Sequence, residues 1–343
     1  MQFCLLYTTK RCPRHLCFSR IAPPLLKKIS SPSCQKAGTI QKMTADTPGE
    51  AMLQKLMKVS IFYHHCRMWA RQHGCSIDDV LEQVRSLGIT HVEADRDEIG
   101  NTKDFDALLA RHDLLVSSIY GFYEWGRDPS DFHNLLQLDQ AQILHSPEVM
   151  FVPGLCRFRN PLLRLAERQR MQEGLAAMTA KALEKRIVPT IEDFDNAQSP
   201  IAASAGMKQF EDRIPGLRTT LDTGNFLFSG EDVLQAMDVL KGTIWHVHLK
   251  DRVTMDTMAE EALSARGEPT KAADGRLLYP CAAGQGIIPM KEVLARLHAA
   301  NYRGTCALEF FGVLDYRRAV LESVSFLKGT GYFPELSQAD DKA

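Results

Sequence analysis

A (β/α)8 barrel is the fold that this 343-residue sequence predicts between Lys58 and Lys328, and three observations carry it. Short β-branched or apolar runs alternate with longer amphipathic segments, the pattern of repeated β-α units on a parallel sheet. Eight such units can be counted, and the roughly 270 residues they fill match the ~250 of a typical TIM barrel. No Gly-rich GxGxxG follows the first run, so the rival, a doubly wound open sheet, lacks its usual mark.

The strand candidates are KVSIF (58–62), THVEAD (90–95), LVSSIY (115–120), EVMFVP (148–153), IVPTIED (187–193), LRTTLD (217–222), TIWHVHLK (243–250) and GTCALEFF (304–311). Helical periodicity fills the gaps, most clearly over 77–88, 162–186, 231–240 and 316–329. Gly88 and Gly329 close two of these segments, where a residue tolerant of positive φ is expected. A long stretch from Arg252 to Gly286 interrupts the even spacing after the seventh strand. It mixes charges with Gly267, Gly275, Gly284 and Gly286, and is expected to act as a mobile cover over the mouth.

Composition bounds the rest. With 45% hydrophobic and 24% charged residues the chain can bury a substantial core. A net charge of −1 gives no overall pull toward nucleic acid or an anionic membrane, and no apolar run approaches the ~20 residues of a membrane helix. The nine cysteines form no CxxC pair, which fits reduced thiols in a cytoplasmic or organelle-matrix setting. Residues 1–50 read as a leader outside the fold: Met1 to Lys42 carry eight Lys/Arg and no acid, as in a transit peptide, although prolines interrupt it. The alternative is a start at Met43, Met52 or Met57. The barrel is placed at 58–330 and a C-terminal tail at 331–343.

In a parallel barrel the strand C-termini converge on one mouth, so polar residues at the ends of apolar strands are the candidates for chemistry. The fifth strand ends in Glu192, the sixth in Asp222, the seventh in His246 and His248, and the eighth in Glu309. Desolvating one unpaired carboxylate costs several kcal/mol. Three that converge need a cation. Each also has a structural reading: a strand-end acid is often a helix cap or an ion-pair partner. His246 and His248 lie two apart and point the same way, one expected to ligate a metal and the other to touch substrate or pack. Lys250 and Asp251 are candidates for substrate hydrogen bonds or for a salt bridge within the loop. Glu93, Tyr120, Glu124 and Trp125 are candidates for shaping a pocket, and His64 and His65 carry less weight.

The strings TIEDFDN, LDTGNF, HVHLKDR, GQGIIPM and ALEFF, together with GITHVEAD around Glu93, resemble the motifs of the sugar phosphate isomerase/epimerase family, the xylose-isomerase-like TIM barrels. The resemblance covers nearly everything from Lys58 onward. It implies one metal on Glu192, Asp222, His248 and Glu309, with Glu192 and Glu309 also serving as acid and base. His246, Asn225, Lys250, Asp251 and Glu93 are the candidate substrate contacts. Two departures stand out. Asn225 occupies a place where the family's ketose 3-epimerases carry histidine, and of their strand-7 loop arginine only Arg252 lies nearby.

Three carboxylates and an imidazole are a hard donor set, suited to Mn²⁺ or Mg²⁺ first, with Co²⁺ or Zn²⁺ as alternatives. Such a site polarises a hydroxy-carbonyl substrate, and loss of its α-proton gives a metal-stabilised enediolate. The expected activity is isomerisation or epimerisation of a sugar or polyol-derived compound, in carbohydrate metabolism. Dehydration of an inosose or keto acid is the alternative. Exposed outer helices leave room for a homodimer. An apurinic-site endonuclease is disfavoured, because THVEAD and VSSIYGF offer no strand-end histidine for further metals. A barrel that binds a metal without turnover is a third reading.

Overall fold

The computed structural model describes residues 57–257 and 266–337. The leader, the 258–265 part of the insertion and the last six residues lie outside them. Eight parallel strands close the barrel in chain order: β1 (Lys58–Phe62), β2 (His91–Asp95), β3 (Leu115–Phe122), β4 (Glu148–Val152), β5 (Val188–Glu192), β6 (Arg218–Asp222), β7 (Ile244–Val253) and, after two short strands, β10 (Thr305–Glu309). Pairing of β10 with both β7 and β1 completes the ring. No helix among the described residues is long and apolar enough to cross a membrane.

The alternation along each strand builds two interiors. Val59, Ile61, Val92, Ala94, Val149, Phe151, Ile191, Leu221, Val247, Leu249, Cys306 and Leu308 point outward and merge with the inner faces of the helices into one apolar core. The residues between them face the lumen, where Ser60 meets Ser117 at 2.8 Å and Thr190 meets Thr220 at 2.8 Å. At the mouth the lumen closes with a smaller cluster of Phe62, Tyr120, Met150, Val152 and Ala307, with Phe194 and Phe311 packed against it. Phe310 turns to the helices and stacks on His65, their centroids 4.5 Å apart.

Local signals set the helix starts. Ser76 and Asp79 form a reciprocal capping box, and Asn160 accepts from the amides of Leu162 and Leu163 ahead of the long helix Pro161–Glu184. Gly88 has a φ of +88°, and a Cβ there would meet Glu335 O at 2.4 Å. Gly329 differs from expectation: its φ is −65°, and the left-handed residue is Gly331. The C-terminal segment does not hang free over its described part, since Phe333 and Leu336 are buried in the core.

The stretch expected as a mobile cover is, over its described part, largely built structure. Strand β7 runs on to Val253 and pairs antiparallel with β9 (Leu277–Cys281), which pairs with β8 (Thr270–Lys271). Gly267 bridges to Val313 in the loop after β10, so the insertion lies against that side of the mouth. The physical reason sits in Asp251, whose carboxylate accepts from the amides of Gly284, Gly286 and Ile288.

Candidate metal centre

Four consecutive barrel strands deliver Glu192, Asp222, His248 and Glu309 to one place. One ligand atom from each lies within 4.8 Å of the others, and all four side chains are buried. His248 Nδ1 is 2.6 Å from Glu192 Oε1 and 2.9 Å from Glu309 Oε2. Asp222 splits its carboxylate: Oδ1 accepts from the amides of Gly224 at 2.7 Å and Asn225 at 2.8 Å, while Oδ2 is turned to the cluster. The capping reading of Asp222 is thus met by Oδ1, while Oδ2 stays on the side of the cluster.

The chemistry of this donor set fits a divalent cation. Asp222 Oδ2 and Glu309 Oε2 are buried and make no well-aligned hydrogen bond, although Lys250 Nζ lies 3.1 Å from the first and His248 Nδ1 2.9 Å from the second, so an ion would satisfy both. Burial, opposed by Lys250 and reinforced by Glu309 and Glu192, pushes the Asp222 carboxyl well up. Burial likewise raises Glu192, against the pull of His248. Glu309 goes the other way: although burial opposes it, the Lys250 ammonium and His248 hold its carboxyl low.

Below the centre, the lumen carries a second polar row. Glu93 Oε2 accepts from His248 Nε2 at 3.1 Å and from His246 Nε2 at 2.9 Å, and Glu148 Oε1 lies 2.6 Å from His246 Nδ1. Burial pushes the Glu93 carboxyl up, but His248 and His246 outweigh it and bring it to about 2. Burial pushes His246 down, but Glu148 and Glu93 lift it to about 9. Glu93 fixes the ring of His248 with its Nδ1 aimed at the cluster, the arrangement by which an outer carboxylate orients a metal-binding imidazole.

This geometry redistributes the expected substrate contacts. Glu93 and His246 lie beneath the centre, spent on one another and on Glu148. Asn225 has both ends of its amide engaged, Oδ1 accepting from Lys250 Nζ at 2.8 Å and Nδ2 donating to Asp193 O at 2.7 Å. Lys250 Nζ also lies 2.6 Å from Glu309 Oε1 and 3.1 Å from Asp222 Oδ2, inside the cluster itself. Asp251 points out of the lumen. Its carboxylate takes the amides of Gly284, Gly286, Ile288 and Arg252 at 2.8–3.1 Å, so GQG cradles this side chain and pins the base of the insertion. Trp125 is fully buried and stacks on Tyr123, in the outer core and away from a pocket. Tyr120 does reach the mouth, where Phe62 lies edge-on to His248 at 5.0 Å.

Glu148 and Asp193 escaped the sequence reading. Glu148 opens β4, where a charge looks like a solvent-facing strand end. Its parity with Glu93 and His246 on the lumen face was the one signal available. Asp193 is buried beside Glu192 and accepts from the amide of Asp222 at 3.0 Å.

A model of the xylose isomerase-like TIM barrel matches residues 81–330. Inosose dehydratase of Geobacillus thermodenitrificans is 37% identical over 89 residues, 26% of this chain and 28% of that protein, so the chain spans little more than a quarter of this curated relative. Among solved structures, a probable 3-DHS dehydratase of Bacillus anthracis superposes with a TM-score of 0.60 at 16% identity, covering 79% of this chain and 99% of that one. A 3-keto-D-glucoside 4-epimerase of E. coli gives 0.56 at 17% identity, covering 80% and 99%. A D-psicose 3-epimerase of Clostridium cellulolyticum gives 0.59 at 13% identity, again covering 80% and 99%. At such identities the likeness speaks to the fold.

Proposed function

Because the chain belongs to the xylose isomerase-like TIM barrel family, we propose that it is a divalent-metal-dependent isomerase or epimerase of a sugar or related hydroxy-carbonyl compound. The observation that carries this reading is the convergence of Glu192, Asp222, His248 and Glu309 within 4.8 Å at the mouth. A cation held by these four would polarise the substrate carbonyl and acidify the neighbouring carbon. Glu192 and Glu309 then act from opposite sides, one removing the α-proton and the other returning one. Glu93 and His246 keep His248 in register, and Asp222 is held by its two amide donors. Phe62, Tyr120 and Phe311 give the mouth an apolar side that limits water around the exposed carbanion.

A second reading, dehydration, uses the same first step and is favoured by the 89-residue match to an inosose dehydratase. Loss of a β-hydroxyl then replaces proton return. One experiment separates the outcomes: a panel of free ketoses and inososes is incubated with enzyme and Mn²⁺ in D2O. Deuterium at the α-carbon with conserved mass formula supports isomerisation or epimerisation. An ultraviolet-absorbing enone supports dehydration, and the absence of exchange with every member would count against proton abstraction.

A further inference from the structure

Each carboxylate offers a metal two oxygens, and at two of the three in this centre protein donors already hold one. At Asp222 the amides of Gly224 and Asn225 occupy Oδ1, leaving Oδ2, which Lys250 Nζ approaches less closely, at 3.1 Å. At Glu309 the Lys250 ammonium stands 2.6 Å from Oε1, leaving Oε2 to face His248. Lys250 is fixed in this post. Asn225 Oδ1 accepts from its Nζ, and Thr223 Oγ1 both accepts from its amide at 2.9 Å and donates to its carbonyl at 2.7 Å. Its stem lies so close to Gly224 that a Cβ there would come within 2.8 Å of Lys250 Cγ.

We infer that Lys250 is a specificity-determining residue that makes Glu309 a one-oxygen ligand, setting the centre for six-coordinate cations such as Mn²⁺ and Mg²⁺ and against Ca²⁺. The inference rests on the proposed metal centre. With one atom from each of the four residues, a six-coordinate cation, the number Mg²⁺ demands, would have room left for two substrate oxygens. Ca²⁺ instead takes about 6–8 oxygens and collects the extra ones from bidentate carboxylates. Here the second oxygens of Asp222 and Glu309 are already held. The Lys250 charge also opposes any cation, so removing it should tighten all of them, and Ca²⁺ most.

The test is made on the full chain, stripped with chelator and titrated calorimetrically with Mn²⁺ and with Ca²⁺, with bound Mn²⁺ followed by its electron paramagnetic resonance in competition. Wild type is expected to bind Mn²⁺ more tightly than Ca²⁺. In Lys250→Met that preference should fall by about tenfold, the scale of outer-ligand effects. Lys250→Arg, which keeps a donor beside Glu309, should retain it, and thermal melts confirm that each variant is folded. Equal binding of the two ions by wild type overturns the inference whatever the variants do. So does an unchanged preference in folded Lys250→Met while one equivalent of Mn²⁺ still binds. If wild type takes up no divalent cation at all, the metal centre itself is wrong, and the inference falls with it.

Discussion

The two faces of the same strands make unlike interiors. Outside the barrel wall, Val149, Phe151, Leu221, Val247 and Leu308 meet the helices as a continuous apolar layer. Inside it, separated by one residue of sequence each time, Glu93, Glu148, His246, His248 and Lys250 form ion pairs in a buried lumen. The outer layer gains from being removed from water whatever its exact partners. The inner one is stable only with every charge matched, because an unmatched buried charge costs several kcal/mol. Fold and site are therefore written in alternate letters, and each should fail in its own way.

The largest effect is expected on the outer face. Phe151→Ala should destabilise the protein by about 3–5 kcal/mol in denaturant unfolding, since it empties a site packed by Tyr123 and Trp125. Whatever remains folded should bind metal normally. Glu309→Gln should leave a folded protein that still takes up some metal, at a cost in stability from the unmatched Lys250 ammonium, while turnover falls ~10²-fold or more, the scale of a lost acid/base group. Near-normal turnover would make Glu309 a ligand only. Glu93→Gln tests the lower row of the lumen: metal affinity, read by calorimetry, should drop roughly tenfold or somewhat more through a misdirected His248. Unaltered affinity would detach Glu93 from the centre. The smallest effect is expected where the comparison has its exception, the outward-facing Asp251. Asp251→Asn can accept from only part of its set of amide donors and should cost about 1–2 kcal/mol of stability, with metal affinity unchanged.

The outer face was legible in the sequence because periodicity alone reports it. All eight barrel strands lie where apolar runs place them, with β3 and β7 extending by two or three residues beyond the expected ends. The mouth was partly legible: a carboxylate after VPTI or CAL is a visible misfit, and Glu192, Asp222, His248 and Glu309 do meet. What the residues do for one another was not. Asn225, Lys250 and Asp251 are all polar and adjacent to the motifs, so spacing marks them alike as substrate contacts. Only the register separates Lys250, which enters the lumen, from Asp251, which leaves it. Glu148 pairs with His246 across strands far apart in the chain, and no local pattern records such a partner.

The junction at the base of the barrel bears on how the molecule comes to exist. Lys58 of β1 lies in register with Thr305 of β10, and the amide of Val59 donates to Glu335 across 276 residues. These are contacts of the highest sequence separation, formed against the greatest loop-closure entropy. Earlier β-α units can associate while the chain is being made, but the ring must wait for its last strand to emerge. Glu309 arrives on that strand, so assembly of the four-residue cluster coincides with closure of the barrel. A nascent chain ending before β10 therefore lacks one of the four residues of the cluster.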